Sequence, residues 1–123
     1  MRWLTLNLPN TPFTRVYYSA VLKDSRILYI GGSGVNTLDM NETTRGDQVG
    51  SRYGHSAVLI QDGLILIYGG LGPNDTQVQP DVATLDVSVT PYVWKAIVTN
   101  NAPPQPLTYH SATLYGIYMI IAF

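Results

Sequence analysis

The chain contains no cysteine. Disulfides, thiol nucleophiles and Cys-ligated metal centres are therefore excluded, and thiol usage says nothing about redox compartment. Charge is also scarce. Asp, Glu, Lys and Arg make up 12% of 123 residues, against roughly 25% in an ordinary globular chain. The net charge is −1, so no basic field draws in nucleic acid or an anionic membrane. The longest apolar run, Ile117 to Phe123, is far short of a bilayer span. The opening residues MRWLTLNLPN hold one Arg and no apolar h-region, so no signal peptide is expected. The expected location is cytoplasmic, changing to secreted or membrane-attached if a longer parent chain supplies a signal. No segment shows helical spacing of apolar residues. A chain of this length forms one domain with a modest core. With so few charges it leaves apolar surface uncovered, or belongs to something larger.

What is present is a repeated hairpin. In RYGHSAVLIQDGLILIYGG (Arg52 to Gly70), two short aliphatic runs flank Gln61-Asp62-Gly63. Their length and β-branched content predict strands, and the Gly predicts a tight turn. The second run, LILIY, is continuous rather than alternating, so both faces of that strand are expected to be buried. Gly69-Gly70 then permits a bend and a close backbone approach. The pattern recurs in YYSAVLKDSRILYIGG (Tyr17 to Gly32) and in YHSATLYGIYMIIAF (Tyr109 to Phe123). Ser56 to Gly69 is 13 residues and Ser19 to Gly31 is 12. The third glycine pair would begin one residue beyond Phe123.

Ser56 to Ser111 is 55 residues, matching a four-stranded repeat of roughly 50. Within it, DVATLDVSV (Asp81 to Val89) and YVWKAIV (Tyr92 to Val98) predict a third and a fourth strand. Ser19 to Ser56 is only 37 residues. Trp94 lies 17 before Ser111 and Trp3 lies 16 before Ser19, whereas Asp39 or Met40 stands at that place before Ser56. The polar stretch SGVNTLDMNETTRGDQVGS reads as loop where two strands are due. The expected organisation is residues 1–14 as an outer strand of a preceding blade, 15–51 as a blade lacking its outer strands, 52–106 as a complete blade, and 107–123 as the first two strands of the next.

These residues resemble the kelch repeat, in which an Arg precedes a small-residue strand, a second strand ends in a glycine pair, a third ends in Asp, and a Trp follows. The full copy has Arg52, His55-Ser56-Ala57, Gly69-Gly70, Asp86 and Trp94. The first has Arg15, Ser19-Ala20 and Gly31-Gly32 but lacks the Asp and Trp, and the last has His110-Ser111-Ala112. The style is similar to that of fungal kelch proteins, some called galactose-oxidase-like by fold. The resemblance implies an all-β, partial kelch-type β-propeller of antiparallel four-stranded blades, acting as a protein-interaction platform. A propeller needs about four to eight blades to close, so this chain is expected to be a fragment of about two to three blades, or a subunit that associates with other chains.

Chemistry is thinly represented. His55 and Ser56 are adjacent, and neighbours on a strand point to opposite faces, so they cannot readily form a nucleophile–base pair. No G-x-S-x-G elbow occurs. His55 and His110 occupy equivalent positions, but two imidazoles fall below the three or four protein ligands of a zinc site. Copper-radical chemistry of the galactose-oxidase kind needs a cysteine. The GGSG and GGLG loops lack the helix that would let them hold phosphate. No catalytic residue, metal or cofactor is therefore expected. The candidate partner contacts are Arg15 and Arg52, which the resemblance places near the channel and which suit an acidic segment, the alternative being that each bonds backbone carbonyls of adjacent loops, with Tyr53 and Tyr109 beside them as aromatic anchors. Gly31, Gly32, Gly69, Gly70, Asp86 and Trp94 are expected to be structural. Leading among the functions is a non-enzymatic interaction module binding protein through its loops or flanks, self-association through exposed blade faces included. Part of a propeller enzyme or sugar-binding protein, or a truncated product without function, remain open. The sequons at Asn41 and Asn74 matter only in a secreted chain.

Overall fold

A computed structural model describes residues 14–34, 44–98, 105 and 107–123. The strand expected around Trp3 and the Asn41 sequon lie outside them. Within them the protein is all-β, with no α-helix. The apolar runs form strands where expected. β1 (Ser19–Lys23) and β2 (Arg26–Ile30) make one antiparallel hairpin, and β4 (Ser56–Leu59) and β5 (Leu64–Tyr68) make the second. β8 (Ser111–Tyr115) and β9 (Tyr118–Ala122) make the third. β6 (Val82–Asp86) and β7 (Tyr92–Ala96) extend the second hairpin into a four-stranded antiparallel blade. This is a partial propeller with one complete blade.

The sheet departs from a purely antiparallel blade at its outer edge. β3 (Thr44–Gly46), inside the polar stretch read as loop, adds a fifth strand parallel to β7, Thr44 opposite Tyr92 and Gly46 opposite Trp94. The sheet order is β3-β7-β6-β5-β4. Asp47 locks the join: its N–H donates to the Trp94 carbonyl at 3.0 Å and its carboxylate accepts the Ala96 N–H at 2.8 Å. Polarity hid this strand, because an edge of three residues buries little and needs no apolar pattern.

The unbroken LILIY run is expected to be buried on both faces; Ile65, Ile67 and Tyr68 are buried while Leu64 and Leu66 are half-buried, so one face is fully covered and the other in part. Ile65, Ile67, Ala83, Leu85 and Trp94 share one face by register and are buried against Val21 and Ile30 of the β1–β2 hairpin. On the opposite face, Tyr68 meets the His110 ring edge-on, with centroids 5.5 Å apart, below the β8–β9 hairpin. Three layers therefore stack in chain order. The Asp86 carboxylate accepts the Ser88 hydroxyl and N–H after β6, which holds it below the usual carboxylate range, and Trp94 is buried in the core.

The glycine pairs fix how closely the layers approach. Gly31 and Gly69 both have left-handed backbones, φ +59° and +70°. A Cβ at Gly31 would lie 2.5 Å from the Arg52 carbonyl oxygen, and one at Gly69 would lie 2.3 Å from that of Leu107. The same contact thus occurs at both junctions, each time against the residue four before the next inner strand. Gly116 has a similar φ of +60° but open space around it. Gly116→Ala should cost about 1 kcal/mol from conformation alone, and Gly69→Ala about 3 kcal/mol or more because a clash with backbone is added. Equal losses in urea unfolding of the two variants would show that the junction does not require this approach.

Candidate functional site

Each inner strand is led in by four residues: Arg15-Val16-Tyr17-Tyr18, Arg52-Tyr53-Gly54-His55 and Leu107-Thr108-Tyr109-His110. The third of each set is left-handed, with φ +57° at Tyr17, +66° at Gly54 and +57° at Tyr109. A non-Gly residue there costs of the order of 1 kcal/mol or more. The conformation aims its N–H and C=O at the neighbouring repeats. The Gly54 N–H donates to the Tyr17 carbonyl and the Tyr109 N–H donates to the Gly54 carbonyl, both at 2.8 Å. Alongside, the Gly32 N–H donates to the Arg52 carbonyl and the Gly70 N–H to that of Leu107, both at 2.9 Å. The junctions are the same joint made twice.

Side chains reinforce them. The Ser19 hydroxyl donates to the His55 carbonyl at 2.8 Å, and Ser56 Oγ shares a 2.7 Å hydrogen bond with His110 Nε2. The second contact has the geometry of a nucleophile and base, from residues not paired in the sequence reading. Ser56 and His110 are buried, so the bond ties the second hairpin to the third, and burial lowers the His110 pKa, opposed by the Leu107 backbone. His55 is enclosed further, and neither ring nitrogen has a partner among the described residues. Burial first, then the charge of Arg52 and the presence of His110, push its pKa down to about 3. Among the described residues no group of three or more His, Cys, Asp or Glu could hold a metal ion.

Arg52 and the tyrosines separate into support and surface. The Arg52 side chain is fully buried. Its Nε donates to the Gly50 carbonyl at 3.1 Å, Nη1 to Gly69 at 3.0 Å and Nη2 to Pro80 at 2.8 Å. One guanidinium thus ties three loops together. Desolvation lowers its pKa to about 10, partly offset by Asp81. Arg15, at the equivalent place, is half-buried. Tyr53 is 8% exposed and its hydroxyl donates to the Asp75 carboxylate. Tyr109 is 60% exposed, and Tyr17, which the sequence reading did not single out, is 56% exposed. The three rings cluster. Tyr17 and Tyr109 meet edge-on at 5.1 Å, with Tyr53 6.2 and 6.4 Å from them. Tyr17, Tyr18, Gly54, His55, Tyr109 and His110 line a shallow pocket at this place. The missed signal was alignment: Tyr17, Gly54 and Tyr109 share one repeat position, and the Gly marks its left-handed backbone.

The chain that builds this joint is similar in sequence to known proteins. Kelch domain-containing protein 3 of Homo sapiens is 32% identical over 127 aligned residues, covering 92% of this chain and 32% of that one. Adagio-like protein 1 of Oryza sativa subsp. japonica is 30% identical over 125, covering 89% of this chain and 19% of that one. Over about nine-tenths of its length the chain is similar to kelch-repeat proteins. No family model matches it. The chain spans about a fifth to a third of the length of these curated relatives. Among the described residues no helix is long and apolar enough to cross a membrane.

Two consequences of the kelch joint are measurable. Arg52→Met leaves three loop carbonyls without their donor and should lower unfolding free energy by roughly 3–5 kcal/mol. Arg52→Lys, with the charge but not the fork, should recover less than half of that. Equal stability of wild type and Arg52→Met in denaturant titration would remove Arg52 from this role. The second concerns pH. Above about pH 6.5 His55 is neutral in both the folded and unfolded chain. Below it, the unfolded chain takes up a proton that the folded ring refuses until about pH 3. Stability should therefore fall by up to about 1.4 kcal/mol per pH unit across that window. His55→Gln should flatten the profile. An unchanged slope in the variant would place the acid sensitivity elsewhere.

Proposed function

We propose that the chain is a non-enzymatic protein-interaction module, with blades at residues 15–51, 52–106 and 107–123, whose partner meets the tyrosine cluster. The observation that carries this is the exposure of Tyr17 and Tyr109 on backbone that is both strained and hydrogen-bonded between repeats. Exposed aromatic rings on a preorganised support bury a large area at little entropic cost, which makes tyrosine a favoured anchor in interfaces. Strained residues persist where surrounding structure holds them, and they concentrate at functional places. Tyr53 supports the pair from beneath. Arg15 lies on the same lead-in segment and suits an acidic partner segment. Arg52 acts on that surface indirectly, by fixing the loops that carry it.

The test is a selection of peptides from a random displayed library against the intact chain, followed by titration of the selected peptide. Tyr17→Ala and Tyr109→Ala should each weaken binding at least tenfold with unchanged melting temperature. Val98→Ala, at an exposed position beyond the end of β7, should bind as wild type does. Peptides whose affinity ignores both tyrosines would move the binding surface elsewhere.

A further inference from the structure

The pair that closes the first hairpin breaks a pattern that the other two hairpins keep. In antiparallel register Lys23 stands opposite Arg26. The same place is held by Ile60 and Leu64 in the second hairpin, where the Ile60 N–H donates to the Leu64 carbonyl at 2.8 Å, and by Tyr115 and Tyr118 in the third. Two cations thus stand where the other repeats pair apolar or aromatic residues. Side chains two apart on a strand share a face. Lys23 and Arg26 therefore lie on the same side as Val21, Leu28 and Ile30, the side that packs on the complete blade. Like charges directly opposite each other destabilise a strand pair. An apolar neighbour raises that cost, because a lower dielectric strengthens the repulsion. The first hairpin carries a local penalty that the other two avoid.

The two cations line a cleft of about 230 Å³ at the junction of the first hairpin and the complete blade, together with Asp24, Leu28, Val87 and Tyr92. Asp24 forms an ion pair with Lys23 at the exposed turn, where such a pair contributes little. The Asp86 carboxylate, next to Val87, is taken up by Ser88. Among the described residues Arg26 has no carboxylate partner. One negative charge in the cleft therefore faces two positive ones. Leu28, Val87 and Tyr92 are half-buried and form apolar walls, which focus the field of the cations. A guanidinium offers a planar fork that matches a carboxylate, and an ammonium beside it adds a less directional contact. We propose that this cleft binds a side-chain carboxylate of an acidic peptide segment. Arg26 takes the carboxylate, Lys23 shares it in competition with Asp24, and Leu28 and Tyr92 pack on the aliphatic stem. The net lining charge of one positive unit suits a singly charged carboxylate better than a phosphate dianion. The cleft lies at the turn end of the hairpins, and the tyrosine cluster lies at their lead-in end. The proposal goes beyond the tyrosine-surface reading and does not depend on it.

The test is an amide-resolved NMR titration of the intact chain at low salt with the peptide acetyl-Gly-Glu-Glu-Glu-Gly-amide. Saturable shifts should appear at residues 23–28 and 87–92, and the matching Gln peptide should give none. Arg26→Gln should weaken binding at least about fivefold by removing the fork. Asp24→Asn should tighten it about threefold by removing the competing charge; Asn tolerates the left-handed backbone at this position, φ +48°. A double variant, Lys23→Ile with Arg26→Leu, installs the closing pair of the second hairpin. It should lose binding and also unfold at higher urea than wild type, because the like-charge pair is gone. A purely structural role for the two cations predicts the opposite sign in urea. Earlier unfolding of the double variant, shifts that survive Arg26→Gln, or inorganic phosphate binding more tightly than the Glu peptide would each overturn the proposal. Shifts confined to Tyr17 and Tyr109 would overturn it as well, while leaving the tyrosine surface standing.

Discussion

The structure depends on backbone touching backbone between successive repeats. At both junctions a glycine amide donates to a carbonyl of the next lead-in segment, and the glycine before it sits where any side chain would collide with that carbonyl. A hydrogen bond of this kind contributes only about 1 kcal/mol by itself. Its weight lies in position. It sets the distance at which the apolar sides of neighbouring layers close without voids, and close packing is where most of the stabilisation of a β-stack resides. The buried Arg52 serves the same end. A desolvated guanidinium is costly, and three well-placed carbonyls offset that cost while holding three loops in one arrangement.

The candidate interaction surface follows from this joint. Left-handed backbone at Tyr17 and Tyr109 is tolerated because each residue is bonded to the neighbouring repeat through its carbonyl or its N–H. The same geometry turns the side chains outward at the start of the inner strands, where the rings pack on one another and on Tyr53. The histidines one residue on turn inward instead. His110 finds Ser56 across the junction, while His55 is enclosed without a partner among the described residues, which is why its proton affinity falls so far.

Much of the fold was legible in the sequence, for identifiable reasons. Strands β4 and β5 announce themselves through SAVL and LILIY, and the glycine pair after LILIY marks a place where a Cβ does not fit. Asp86 and Trp94 were readable by their spacing. β3 was not, because Thr44, Arg45 and Gly46 carry no apolar periodicity; their pairing is decided by the open edge of β7 and by Asp47, far away in sequence. Arg52 illustrates the other gap. A charged residue beside a loop allows either a partner contact or bonds to carbonyls of adjacent loops, and for Arg52 the three carbonyls around it decide for the second. The tyrosine cluster was half legible: Tyr53 and Tyr109 stood out as aromatic residues beside the lead-in positions, whereas Tyr17 required knowing that its backbone matches that of Gly54.

The parallel strand β3 has a consequence for the edge it covers. An outer strand such as β7 would otherwise present a row of free amides and carbonyls, the template on which unrelated chains add to form cross-β aggregates. Residues 44–47 occupy that row with a polar segment. Strand β3 thus acts as a guard for the outer edge of the complete blade, and withdrawing it would expose an edge that the present arrangement conceals.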